Sequence, residues 1–410
     1  MDIRPILTTL RRHKTAAALI VFEIALSCAI ICNAVFLISN RLELMDRTSG
    51  LAEKEIVRVQ LTGINNNKDA RAVTQSDLAA LRGLPGVKAA TVTNQVTFGD
   101  SSWNSGVNLK QDQPFPNLSA TTYFGDEQLV GTLGLNLIAG RGFNSDEFLN
   151  YEDLDKLPDD TGVPAAIVTK AVADKLFPGE NAVGKSFYSW GDKPIRIVGV
   201  VDHLARPNNR GGAAEYEYSM LFPIRVTYEV GGNYLLRVDP SRRDETMKAA
   251  IAALEKNGPT RIILQDETKT LEQMRDEFYQ QDRSMAWLLV AVCVALLVVT
   301  ALGIVGLASF WVQQRTKQIG VRRALGATRG QVLRYFQTEN FLLATVGIVL
   351  GMLLAYSINL WLMSAYELPR MPASYLPIGA VLLWLLGQIA VFGPAHRAAA
   401  VPPAVATRSA

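Results

Sequence analysis

Long apolar runs at Thr15 to Ser39, Ala286 to Val312, Asn340 to Ala365 and Tyr375 to Pro394 divide the chain. A helix needs about 20 apolar residues to cross a hydrocarbon core of about 30 Å. The runs therefore predict transmembrane helices at 15–39, 286–312, 338–365 and 375–394. A short loop at 366–374 would join the last two, and 395–410 would form a tail. Residues Asn40 to Met285 are polar enough to fold in water, so the order is one span, one large domain, three spans.

Within 40–285, apolar positions alternate at Glu55 to Thr62 and Val87 to Val96, with a helical pattern at Gln75 to Gly83 between them. A matching strand, helix and strand are expected at Asn233 to Asp239, Ser241 to Lys256 and Thr260 to Gln265. Two such units suggest a split α+β layer of ferredoxin type, interrupted by a second subdomain from about 98 to 232. For that insertion the pattern gives a helix at Lys170 to Leu176 and a strand at Pro194 to Val201, with loops at Asp112 to Ser119 and Pro207 to Ala214. Leu271, Met274, Phe278 and Met285 predict one helix from Glu267 to Met285 running into the second span, and Asn40 to Lys54 is read as an extension of the first. These extensions would form a stalk.

Charge decides the orientation. Gln313 to Phe336, in the loop 313–337, carries six Lys/Arg and no Asp or Glu, and Arg4, Arg11, Arg12 and Lys14 precede the first span. Lys and Arg near a span resist translocation, so both segments, and both chain ends, are expected in the cytoplasm, with 40–285 outside. Ile3, Ile6, Leu7 and Leu10 make 1–14 an amphipathic helix on the inner surface. A secretory signal would have an apolar core of about 7–15 residues; Thr15 to Ser39 is longer and reads as a retained span. Cys28, Cys32 and Cys293 all fall within spans, leaving the outer domain to fold without disulfides. The net charge of +3 is accounted for by the inner loops and gives no reason to invoke nucleic acid.

Gly179 to Ser186 (GENAVGKS) matches the phosphate-cradling P-loop pattern, and Ile262 to Glu267 resembles a strand ending in a magnesium-binding Asp. The order of elements argues against it: a P-loop follows a strand and opens a helix, whereas AVADKLFP before Gly179 reads as helix and FYSWGDKPIRIVGVV after Ser186 as turn and strand. No nucleotide, metal or other cofactor is therefore expected in this chain, and the motif reads as a turn. His13, His203 and His396 are too far apart to suggest a metal site, and Asp202 with His203 lacks a nucleophile. Within the spans, Gly347 and Gly351 form a GxxxG pattern that permits close helix approach. Glu23, a charge inside the first span, should face protein or water or be protonated, with a part in coupling and a polar partner such as Asn33 or Gln388 both open.

The basic loop resembles that of the MacB/FtsX class of ABC transporter permeases, which reads approximately R-x-x-E-I-G-[IV]-R-[RK]-A-[LI]-G-A. Here Arg315 is followed by Gln318, Ile319, Gly320, Val321, Arg322, Arg323, Ala324, Leu325, Gly326 and Ala327, and Glu339 also matches. Gly140 to Phe143, Leu176 to Pro178, Val183 to Lys185 and Ile197 to Val201 look like the family's periplasmic core, and Pro394 to Ala399 like its closing segment. Gln318 replaces the usual Glu, and Val401-Pro402-Pro403 the usual Asp-Pro.

The resemblance implies a helical membrane protein with an extracytoplasmic α+β domain built on a ferredoxin-like, porter-type layer. It implies a permease coupled through Gln318 to Ala327 to a separate cytoplasmic ABC ATPase that binds ATP and Mg, and paired with a second permease subunit, identical or related. A periplasmic adaptor and an outer-membrane channel stand open as further partners. Export or efflux from the periplasm is the expected activity. Signalling to a cell-wall hydrolase, extraction of lipoproteins, and an enzyme built around Asp202 and His203 stand as alternatives.

Overall fold

The computed structural model describes residues 14–63, 69–111, 113–158, 161–208, 215–258, 261–366 and 370–400, so the segment read as an amphipathic helix at 1–14 lies outside the described residues except for Lys14. The chain divides into two compact units, Met1–Asp46 with Gln281–Ala410, and Arg47–Gln280.

In chain order, helix α1 spans Lys14–Asp46. The α+β unit then contains β1 Ile56–Gly63, α2 Ala70–Arg82, β2 Val87–Thr93, β3 Asn104–Val107, β4 Leu118–Phe124, β5 Leu137–Gly140 and β6 Ala165–Thr169. It continues with α3 Lys170–Leu176, β7 Ser186–Phe187, β8 Ile195–Val201, β9 Ser219–Phe222, β10 Asn233–Val238, α4 Arg243–Asn257, β11 Arg261–Ile263, β12 Lys269–Thr270 and α5 Leu271–Phe278. The remaining helices are α6 Gln280–Gln314, α7 Thr316–Ala324, α8 Arg329–Tyr366 and α9 Leu376–Ala400.

Two large sheets build the α+β unit, beside a two-stranded pair of Leu149–Asn150 with Ile224–Arg225. The first has the order β11-β1-β10-β2, every neighbour antiparallel, which is the ferredoxin-like order 4-1-3-2. Alternation along β1 sends Val57, Val59 and Leu61 into the core, where register sets Val57 against Leu236 and Val59 against Tyr234. Helices α2 and α4 close this face with Leu78, Leu81, Ala250 and Leu254. The second sheet, inserted between β2 and β10, runs β3-β4-β9-β6-β8-β5 with β7 pairing β8. Its inner strand β6 is buried at all five positions, as expected for a strand covered on both faces, and it runs parallel to β8 after the crossover through α3.

The ferredoxin-like layer is tied together by a buried carboxylate. Asp77 on α2 pairs with Arg261 of β11, accepts from Tyr234 Oη of β10 at 2.6 Å and from Asn257 Nδ2 at the end of α4 at 3.3 Å. The Asp77 and Arg261 side chains are 0% and 3% exposed. Burial, then the Asp77 charge, pushes the Tyr234 hydroxyl pKa well up, so it stays protonated as a donor.

Several expected elements differ from those observed. The first helix ends at Asp46 rather than Lys54, and Glu53–Glu55 forms a separate 3-10 turn. The helix expected from Glu267 begins at Leu271, because Thr270 and Gln273 form a capping box (3.2 and 2.9 Å) after the short strand β12. It also breaks at Tyr279 before α6 resumes, so it does not run unbroken into the second apolar helix. The stretch read as a loop to Ser119 already contains the start of β4, and residue 112 lies outside the described residues, as do 209–214 of the other expected loop. The last helix passes Pro394 and continues to Ala400, into the stretch read as a tail.

In the helical unit, α1, α6, α8 and α9 are each long and apolar enough to cross a membrane. Ile24, Cys28 and Cys32 form one ridge of α1 that lies against glycines. A Cβ at Gly347 or Gly351 of α8 would stand 2.9 Å from Ile24 Cβ or 2.5 Å from Cys28 Cβ, and one at Gly379 of α9 2.5 Å from Cys32 Sγ. Helix α6 is buried only along the stripe Ala286, Thr300, Ile304, Ala308 and Trp311. Glu23 pairs with neither expected partner. Asn33 Nδ2 donates to the Ala29 and Ala355 carbonyls and Gln388 Nε2 to Gln337 O at 3.4 Å, while the Glu23 carboxyl lies over Gly303, 2.5 Å from where a Cβ would stand.

Two outcomes test this packing. Asp77→Ala leaves Arg261 buried without a counter-ion and should cost about 3–5 kcal/mol, read as faster hydrogen exchange across β1 and β10 in the solubilised chain. Gly351→Leu would force α1 and α8 apart, so a loss of monodisperse protein on size exclusion is expected, with Gly306→Leu, where a Cβ meets no neighbour, tolerated.

Candidate functional site

The basic loop folds as a second helix seated on the end of the bundle. Helix α6 stops at Arg315, whose backbone (φ −104°, ψ 8°) leaves the helical region, and α7 then runs nine residues. It ends in a full Schellman turn: Gly326 N donates to Arg323 O at 3.2 Å and Ala327 N to Arg322 O at 3.0 Å, with Gly326 at φ +100°. A residue with a Cβ would be strained there. Thr328 and Gln331 then form a capping box, Gln331 N to Thr328 Oγ1 at 3.3 Å and Thr328 N to Gln331 Oε1 at 2.9 Å, which starts α8.

The inner face of α7 is locked down. Ile319 packs among Val332 and Phe336 of α8 and Ala395, Ala398 and Ala399 of α9, and Gly320 is buried beside it. Arg315 Nη1 donates to both carboxylate oxygens of Glu339 on α8, at 3.0 and 2.9 Å, and its guanidinium lies 5.5 Å from the Trp311 ring centroid. Arg323 Nη1 donates to the Ala399 carbonyl at 2.7 Å, placing a cation at the C-terminal end of α9 where unpaired carbonyls favour it. The Arg322 guanidinium stands 5.2 Å from the Tyr335 ring.

The outer face is a different surface. Gln318, Val321, Arg322 and Leu325 share it at helical spacing, and Val321 and Leu325 are 51% and 82% exposed. Lys317, Ala324 and Gly326 are exposed beside them, while Ala327 is half-buried. Of the helix's apolar residues, then, only Ile319 faces the bundle. The sequence pattern named the residues but did not separate the two faces. It also left Arg315 and Glu339 as two isolated motif matches rather than a pair, and missed the Thr328 to Gln331 cap, which its T-x-x-Q spacing carries.

Of the other candidates, Gly179 to Ser186 and Asp202 with His203 lie in the inserted subdomain and His396 lies on α9. Gly179 to Ser186 sits after α3 and before β7, and Gly184 N bonds Ile197 O at 2.8 Å, fastening the turn to β8. Lys185 pairs with Glu180 and its Nζ lies 4.6 Å from the Phe177 ring centroid, so it is turned onto its own loop. His203 Nδ1 lies 2.6 Å from Glu217 Oε1 and its Nε2 3.5 Å from Asp202 Oδ1, without a hydroxyl or thiol nucleophile in the set. His396 stacks on Phe392, and among the described residues no three His, Cys, Asp or Glu side chains gather as a metal site would require.

Two family profiles cover the chain: the MacB-like periplasmic core domain over residues 18–254 and the FtsX-like permease C-terminal domain over 290–403. The chain belongs to the MacB-like family of ABC transporter permeases. Its curated relatives include the macrolide export ATP-binding/permease protein MacB of Shewanella sp. (strain ANA-3), 25% identical over 97% of this chain and 58% of the relative. The uncharacterized ABC transporter permease YknZ of Bacillus subtilis is 23% identical over 82% of this chain and 79% of its own. The chain thus spans little more than half the length of the MacB relative. Among solved structures, the periplasmic region of MacB from Actinobacillus actinomycetemcomitans covers 57% of this chain and 97% of its own at 15% identity and a TM-score of 0.32. The extracellular domain of YknZ covers 50% and 99% at 16% identity and a TM-score of 0.31.

Gly326→Val should unwind the end of α7, since a β-branched residue is strained at this φ, and increased proteolysis between Arg323 and Arg329 in the purified chain would report it.

Proposed function

We propose that this chain is the permease of an ABC exporter, docked through the outer face of α7 by a cytoplasmic ATPase that binds ATP and Mg. The observation that carries this reading is a short basic helix whose inner face is fixed to α8 and α9 while Val321 and Leu325 stay exposed. An apolar pair ringed by Arg322, Lys317 and Gln318 suits a protein groove with a polar rim. Gln318 offers a hydrogen bond where the family has a charge.

In this reading both chain ends and α7 face the cytoplasm of an inner membrane, and the α+β unit lies outside. ATP-driven displacement of α7 would be transmitted along the spans to that unit, without substrate crossing the bilayer. Two permease subunits, identical or related, would form the transporter, with a periplasmic adaptor and an outer-membrane channel completing an efflux path. The MacB relatives are described as macrolide exporters, which supports export over signalling to a hydrolase or lipoprotein extraction.

Two measurements check the reading. Val321→Glu with Leu325→Glu should abolish co-purification of the ATPase and its stimulation, while folding stability changes by no more than about 0.5 kcal/mol, as is usual for surface substitutions. These positions discriminate better than Arg323, whose replacement also removes the cap on α9. In a Cys293→Ala background, Leu325→Cys should react with a membrane-impermeant maleimide only after the inner membrane is opened, and Ser101→Cys in intact spheroplasts. The reverse pattern would overturn the orientation.

A further inference from the structure

Helix α7 is fastened at each end by an arginine, and the two attachments differ in kind. Arg323 reaches a backbone carbonyl and is half-buried, so water can replace its bond. Arg315 and Glu339 are 7% and 1% exposed, and their double hydrogen bond joins the start of α7 to α8 out of contact with water. A buried charge pair resists separation because either partner alone would be left bare. On its other side the Arg315 guanidinium lies 5.5 Å from the Trp311 ring centroid, which holds it in place beside Glu339.

Beyond the pair, the two helices that leave it differ. Helix α6 is buried along one stripe, whereas α8 packs on α1 through Gly347 and Gly351, close enough that a Cβ at either would collide. Displacement of α7 therefore meets a firmer connection through Glu339 into α8 and α1 than through the α6 backbone alone.

We propose that Arg315 and Glu339 are positioning residues for ATPase coupling: their buried ion pair is the joint that passes movement of α7 to α8 and from there to α1. This rests on α7 being the ATPase-docking helix. Single neutralisation at either position leaves a bare buried charge and risks misfolding, so the decisive variant is Arg315→Met with Glu339→Leu, which removes both charges and keeps apolar volume.

The expected result has two readouts. In co-purified complexes the ATPase still binds and keeps its KM for ATP, but permease-stimulated kcat falls at least tenfold. A nitroxide on Leu325→Cys, in the Cys293→Ala background and without any ATPase, becomes more mobile than in the parent. Stimulation within twofold of the parent, or unchanged nitroxide mobility, would overturn the joint. Loss of ATPase binding in the double variant would also count against it, because the docking face is intact. If the parent chain itself neither binds nor stimulates an ATPase, the functional reading fails, and the mobility measurement still decides whether the pair holds α7.

Discussion

Lipid tails are as apolar as the helices they surround, so helices in a bilayer gain little from hiding apolar surface and must associate through close contact. The α1 ridge of Ile24, Cys28 and Cys32 against Gly347, Gly351 and Gly379 supplies that contact. Without side chains on the glycines, backbones approach and dispersion acts at short range along the seam. Polar groups then find partners across it, with Asn33 Nδ2 donating to the Ala355 carbonyl and the Tyr375 hydroxyl donating to Ser39 Oγ. The block made by α1, α8 and α9 is the base on which α7 is seated.

That base explains why nine residues can act as a defined surface. An isolated helix of this length is marginal in water, yet α7 is held by Ile319 in an alanine-lined seat, by a glycine turn at one end and by a buried ion pair at the other. Rigid on the inside, it can hold Val321 and Leu325 outward, where in a freely fluctuating loop they would collapse onto the nearest apolar surface. The basic charges around them serve two ends, since Arg315 and Arg323 are engaged within the protein while Lys317 and Arg322 remain at the surface.

The α+β unit answers a different requirement, because its first sheet is assembled from segments far apart in the chain. Asp77 gathers α2, β10, β11 and the end of α4 into one network, and the insertion adds a mixed sheet with its own inner strands. At the entry to the insertion, Phe98 adopts φ +66°, a conformation bulky residues rarely take, and is pinned between Phe278 and Tyr279. The P-loop spelling lies within this insertion. There it is a turn between a helix and a strand, with Gly184 N bonded to Ile197 O, whereas a P-loop follows a strand and opens a helix.

By itself the sequence determined whatever depends on local pattern or on the membrane's demands: the apolar helices, the basic loop between two of them, and the paired strand-helix-strand units of the ferredoxin-like layer. Helical and strand periodicities are properties of neighbouring residues, so they can be read without a fold. Only the tertiary structure decided which face of α7 is buried, that Arg315 and Glu339 meet, that Gly347 and Gly351 receive α1, and that Glu23 lies over Gly303. It alone showed the breadth of the inserted sheet, several of whose strands have only two to five residues and so display no period, and the break at Tyr279 in an otherwise helical pattern. Those outcomes depend on what the rest of the chain brings alongside each residue, and spacing along the sequence does not encode which helix that neighbour comes from.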